Sequence, residues 1–98
     1  MYKLSNLAVE DFSAIYEYTL LNFGVLQADA DTAHLESTFD LLSNSPLMGY
    51  DCPDVASGLR RIDHNRHVIF YRRYEHHILI IRILHQQMEQ MKHLFESL

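Results

Sequence analysis

Apolar residues recur along the first half of the chain at spacings of three and four, and along the second half at spacings of two. Ala8, Phe12, Ile15, Tyr16, Thr19 and Phe23 fall on one face of a helix. Ser5-Asn6 ahead of them supplies a capping side chain for the free N–H groups of the first turn. Glu10, Asp11 and Glu17 fall in its early turns, where the helix dipole favours acids, and Gly24 ends the element. A second helix is predicted from about Leu26 to Ser43, with Ala28, Thr32, Leu35, Phe39 and Leu42 as its apolar stripe. The connection is so short that the two must form an antiparallel hairpin, since each has a stripe to bury. Asn44-Ser45-Pro46 stops the second helix, and Gly49, Cys52-Pro53 and Ser57-Gly58 mark an irregular loop.

After Gly58 the period becomes strand-like over Leu59 to Asp63, His67 to Tyr74 and His77 to His85, with short turns between. These segments predict an antiparallel meander. The last strand is apolar on both faces, as an interior strand can be and an edge strand should not. Tyr2 to Leu4 adds a short N-terminal strand, and Gln86 to Leu98, with Met88, Met91 and Phe95 at helical spacing, reads as a short tail helix or a mobile end. The order β-α-α-β-β-β defines a single α+β domain over residues 1–98, a helical hairpin laid on a small antiparallel sheet with a short C-terminal tail.

Composition narrows the function classes. At 48% hydrophobic and 21% charged residues the chain is neither disordered nor fibrous. The apolar run His77 to Leu84 is interrupted by Arg82 and falls short of the roughly 20 residues a membrane span needs. The N-terminus lacks the apolar stretch of a secretory signal and Cys52 is the only cysteine, so a cytoplasmic protein without internal disulfides is expected. The net charge of −5 argues against direct nucleic-acid binding. That total hides a polarity. Up to Val55 one lysine stands against nine acids, a balance of −8; from Ala56 onward seven basic residues stand against four acids, +3, and six of the seven histidines lie there too. The second half therefore gains charge as pH falls through about 6.5.

Three constellations are candidates for chemistry. The histidines, with His64 and His67 three apart and His76-His77 in the next turn, lack the partners and spacing of a metal site, so no metal or other cofactor is expected. Arg60, Arg61, Arg82 and His85, with Tyr71 and Tyr74, are adequate in type for in-line RNA cleavage, which needs a base, an acid and cations for the added phosphate charge. Alternation nevertheless sends Arg82 and His85 to opposite faces unless the strand ends or bulges between them, and pairing of Arg82 with an acid is favoured. The third is an arginine array, Arg60, Arg61, Arg72, Arg73 and Arg82, on rigid strands, a platform suited to an acidic partner.

The motifs Pro46-x-x-Gly49, Gly58-Leu59-Arg60-Arg61, His67-Val68-Ile69-Phe70-Tyr71-Arg72, Ile81-Arg82-Ile83-Leu84-His85 and His85-x-x-Met88 followed by His93-Leu94 resemble those of the ParE toxins of the RelE/ParE superfamily. The likeness covers nearly the whole chain, and the segment after Gly58 carries its specificity. It implies a toxin of a bacterial type II toxin–antitoxin pair that inhibits DNA gyrase by direct binding and is neutralised by a ParD-like antitoxin. Arg60, Arg61, Arg72 and Arg82 would then be acid-binding positions for the antitoxin, and Arg82, His85, Met88, Met91 and His93 the surface presented to the target. The alternative is the superfamily's other branch, similar to RelE and YoeB, ribosome-dependent mRNA endonucleases in which Arg82 and His85 would be catalytic. With Lys3 and Lys92 as the only lysines and a negative net charge, the chain departs from that branch, and a non-enzymatic toxin is expected. Asp31 stands where the ParE pattern often has an aromatic residue.

Overall fold

A computed structural model of the protein describes residues 1–87. The expected tail, with Met88, Met91 and His93, lies outside the described residues. Within them the chain runs β1 (Tyr2–Leu4), α1 (Asn6–Phe23), α2 (Val25–Asn44), β2 (Tyr50–Asp51), β3 (Leu59–His64), β4 (His67–Arg73) and β5 (Ile78–His85). The sheet order is β1-β5-β4-β3-β2, so β5 is an interior strand as its two apolar faces require. β2 to β5 pair antiparallel, whereas β1 lies parallel to β5 with Tyr2 opposite Ile78 and Leu4 opposite Ile80. The sheet is therefore mixed. A two-residue strand also appears inside the segment expected to be irregular, because Tyr50 and Asp51 pair with Arg61 and Arg60.

Gly24 joins the helices alone. Its φ of +94° is a conformation that L side chains avoid, its N–H donates to Leu20 O (3.1 Å), and its carbonyl accepts from Ala28 N (3.1 Å). The hairpin buries its two stripes unequally. Ala28, Thr32, Leu35, Thr38, Phe39 and Leu42 of α2 are all buried, but on α1 only Ala8 and Thr19 are. Phe23, on the predicted stripe, is 64% exposed, because α1 runs past the edge of what the sheet covers.

One apolar cluster lies between hairpin and sheet, built from Ala8, Leu35, Phe39 and Leu42 against Ile69, Tyr71, Ile78, Ile80 and Ile83. A second, Leu59, Val68, Phe70, Ile81 and Leu84, occupies the other face, with Cys52, Val55 and Ala56 of the β2–β3 loop packed on it. Each large side chain so buried contributes about 1.5–3 kcal/mol. The sequence places Ile80 and Ile83 on one face and Ile81 and Leu84 on the other only if the alternation is reset once. The reset is a bulge: Phe70 pairs with Arg82 and Tyr71 with Ile80, leaving Ile81 as the extra residue.

β1 ends at Leu4, and the β5 backbone beyond it is completed by side chains and by the entry into α1. Ser5 N donates to Ile80 O (2.9 Å), and Ser5 Oγ donates to Ile81 O (2.7 Å) while accepting from Ala8 N to cap α1. Asp11 Oδ2 accepts from Ile83 N (3.0 Å). Asp11 thus serves the sheet, and the first turn of α1 holds no acid.

Candidate functional site

The arginines of the sheet have acids and carbonyls built in around them. Arg60 donates through Nη1 to Asp51 Oδ1 (2.8 Å) and through Nη2 to Leu47 O (3.2 Å) and Gly49 O. The same loop is held from the other side by Tyr71, fully buried, whose hydroxyl donates to Pro46 O (2.9 Å) and accepts from Gly49 N (3.0 Å). The Pro46-x-x-Gly49 motif has its physical reason here: a Cβ at Gly49 would lie 2.5 Å from Tyr71 Oη and 2.6 Å from Arg61 O. Arg61 pairs with Asp63 (2.8 Å), and its guanidinium carbon lies 5.5 Å from the Phe70 ring centroid and 5.6 Å from that of Tyr50, its two cross-strand neighbours. Arg72 stands opposite Leu59, half-buried. Its Nε is buried with no hydrogen-bond partner, and the residue lines a cleft of about 390 Å³ with Ser5, Asn6 and Ile81 beside the start of α1.

Arg82 is 7% exposed and grips Asp11 with two donors, Nε to Oδ2 (2.8 Å) and Nη2 to Oδ1 (2.9 Å). The bulge falls at Ile81, before Arg82 and not between Arg82 and His85. Arg82 runs to Asp11 on α1, while His85 meets His67 on β4, ring centroids 5.7 Å apart and edge to face, and its Nδ1 accepts from Gln87 N (3.1 Å).

At the far end of the same strands the register aligns three histidines in one row: His64 opposite His67, and His67 opposite His85. His64 Nδ1 lies 3.2 Å from Thr38 Oγ1. Burial first, and then the neighbouring His85 and His64, hold His67 below the usual 6.5, with Asp31 pulling weakly the other way. Asn65, in the left-handed region at φ +56°, and Arg66 make the tight β3–β4 turn. Among the described residues no three His, Cys, Asp or Glu side chains converge to hold a metal ion.

Sequence patterning finds the arginines and the His64–His67 spacing. It does not find Asp11 or the alignment of His85 with that pair, because both depend on contacts between residues distant in the chain. It also leaves the role of Tyr71 unassigned; the one available signal is that Pro46 and Gly49 sit in a loop whose polar backbone groups need a partner.

The structure is a small α+β fold, a five-stranded mixed sheet backed by a helical hairpin with arginines on its strands. Residues 2–90 match the family model for the ParE toxin of the type II toxin–antitoxin system, parDE. The chain is 36% identical over 93 residues to Toxin ParE1 of Caulobacter vibrioides, covering 95% of this chain and 96% of that protein. It is 32% identical over 89 residues to Toxin ParE1 of Mycobacterium tuberculosis H37Rv, covering 90% and 91%. Its fold matches a chain of the chromosomal ParDE toxin–antitoxin system from P. aeruginosa with a TM-score of 0.72 at 21% identity, over 86% of this chain and 92% of that one. The chain belongs to the ParE toxin family. No helix among the described residues is long and apolar enough to cross a membrane.

Proposed function

We propose that this ParE-family toxin acts in the cytoplasm by contact, binding DNA gyrase and blocking it, and that a ParD-like antitoxin neutralises it. The observation that carries this is the family match over nearly the whole chain, with relatives of the same length that bear the name Toxin ParE1. The disposition of Arg82 supports contact over catalysis. A guanidinium buried in the fold and held by both oxygens of Asp11 is committed to the packing of α1 on β5, whereas in-line RNA cleavage needs a cation free to meet phosphate. The acidic first half and basic second half suit a partner that lays carboxylates over the strands.

Of the four acid-binding arginines, Arg61 and Arg72 are assigned the direct contacts with the antitoxin. Arg72 lines an open cleft beside the first turn of α1, whose N–H groups also favour an anion. Arg60 and Arg82 hold the platform through Asp51, the Leu47 and Gly49 carbonyls, and Asp11. The target surface is the end of β5 and the residues after it, His85, Met88, Met91 and His93, while Arg82, buried against Asp11, supports that strand from within. Deleting residues 86–98 is expected to abolish growth inhibition while leaving antitoxin binding largely intact.

The test is plasmid supercoiling by purified gyrase, with this protein alone and with the protein pre-mixed with its neighbouring antitoxin. Inhibition that the antitoxin relieves is the expected result. A folded protein that leaves supercoiling untouched at stoichiometric excess, but whose toxicity is lost in His85→Ala, would shift the function to ribosome-dependent RNA cleavage.

A further inference from the structure

Arg72 differs from the other half-buried or buried arginines of the sheet. Arg60, Arg61 and Arg82 each hold a carboxylate oxygen at 2.8 Å, whereas Arg72 makes no ion pair and no hydrogen bond to any described residue. A guanidinium carries five N–H donors, and leaving all of them without a protein acceptor in a half-buried position is costly. Its Nε is already shut off from solvent, so an acceptor reaches the terminal nitrogens through the cleft that Arg72 lines.

The rest of that cleft is built of donors and apolar walls. It encloses about 390 Å³ between Asn6 and Leu7 at the start of α1 and Arg72, Tyr74, Leu79 and Ile81 on the sheet side, and no Asp or Glu lines it. Ser5 accepts from Ala8 N through its Oγ (3.1 Å) and from Val9 N through its carbonyl (3.0 Å), but the N–H groups of Asn6 and Leu7 have no acceptor among the described residues. The first turn holds no acid to meet them, and behind them stands the dipole of an 18-residue helix. At the rim Tyr74, half-exposed, stacks on His77 with ring centroids 5.1 Å apart.

A guanidinium without an acceptor and a pair of helix N–H groups without one thus face the same space, and both call for an anion. A planar guanidinium meets two oxygens of a phosphate side by side and leaves a third for the N–H pair, while a carboxylate has only two oxygens to divide between them. The volume lies near the lower end of small-ligand pockets, roughly 300–1,000 Å³, and leaves room beyond a phosphate for a short organic group. We propose that the Arg72 cleft is a binding site for a small phosphate monoester, its phosphate held by Arg72 and the Asn6 and Leu7 N–H groups and its organic part lying against Leu79, Ile81 and Tyr74. The site does not depend on gyrase being the target. It shares Arg72 with the antitoxin contact assigned above, so a bound monoester competes with the antitoxin there; that competition rests on the antitoxin reading, and the site itself does not.

The test is an NMR titration of the full, isotope-labelled chain with phenyl phosphate, compared with inorganic phosphate and benzoate at one ionic strength and at about pH 7.5, where the phosphate is largely a dianion. Phenyl phosphate is expected to shift the Asn6 and Leu7 amides and the Arg72 Nε–H together, and to bind about tenfold more tightly than either comparison. Arg72→Gln should weaken it by about tenfold, and Arg73→Gln, at the exposed neighbouring position, should leave it unchanged. Asn6→Asp separates binding from folding: a carboxylate in the first turn should raise the urea midpoint while weakening phenyl phosphate severalfold. Benzoate binding as tightly as phenyl phosphate, shifts scattered over Lys3, Arg66 and Arg73 instead of gathered at the cleft, or undiminished binding by both Arg72→Gln and Asn6→Asp would overturn the proposal. Displacement of phenyl phosphate by the antitoxin supports the shared use of Arg72. If the shifts gather at Asn6, Leu7 and Arg72 but the antitoxin does not displace the probe, the phosphate site stands and Arg72 is removed from the antitoxin contact.

Discussion

The two ends of the β3–β4 hairpin carry positive charge in different ways. At the β2 end the charges are guanidiniums, permanent, and each of Arg60 and Arg61 has a carboxylate within 2.8 Å as well as carbonyls or aromatic faces around it. Arg82, midway along the sheet, has Asp11. At the turn end the charges are imidazoles, conditional on pH, which lean on one another, on Thr38 and on Gln87. The difference teaches which positive groups build the platform and which remain responsive. A permanent charge near a core is tolerable only when paired, so Arg60 and Arg82 become structural pins. A histidine can sit half-buried without a countercharge because it can lose its proton instead.

The largest effect should come from breaking the deepest pin. Asp11→Ala leaves Arg82 buried without its carboxylate and Ile83 N–H without an acceptor, and is expected to cost about 3–5 kcal/mol in urea denaturation. A loss well under about 1 kcal/mol would mean that Arg82 finds solvent and that its burial is incidental. Next comes Gly49→Ala, expected to cost roughly 3 kcal/mol because two of the three clashes it makes are with the pinned Tyr71 ring and the third with the β3 backbone. Adding Tyr71→Phe should recover only part of that loss, since Arg61 O remains 2.6 Å from the new methyl.

Arg60→Ala should be milder, about 1–2 kcal/mol, as its charge sits near the surface while the Leu47 and Gly49 carbonyls lose a donor. The smallest effect belongs to the turn end. His67 is held below 6.5 in the folded chain, so the unfolded chain takes up this proton first, and stability falls as pH drops through 6.5 toward the folded value and levels off below it. His67→Gln should therefore change stability little at about pH 8 and flatten that part of the acid decline, as read from urea midpoints across the pH range. An unchanged slope would show that burial and its neighbours do not hold His67 below 6.5 in the folded chain.

Much of this layout is legible in the residue pattern. The change of period at Gly58 separates hairpin from strands because helices and strands bury residues at different spacings, and the doubly apolar β5 announces an interior strand. What stays hidden is of two kinds. Elements too short to have a period leave no trace, as with β2, the Ile81 bulge and the parallel placement of β1. Partnerships across long separations leave none either. Asp11 and Arg82 are 71 positions apart, and spacing alone cannot say whether Asp11 decorates a helix or completes a sheet. The same blindness misplaces Phe23, whose spacing puts it on the buried face although it is 64% exposed and no strand among the described residues reaches that end of α1. Candidate arginines are therefore easy to name from sequence, while the distinction between pin and contact has to come from their partners.

The central claim, that this ParE-family chain disables its target by binding and not by turnover, is tested most directly by titrating the purified protein against a fixed amount of gyrase while following supercoiling. A contact toxin lowers the activity in proportion to the amount added and reaches its floor near one equivalent per binding site, with full recovery on adding antitoxin. Complete loss far below one equivalent, or loss that the antitoxin cannot reverse, would mark a catalyst and contradict the assignment.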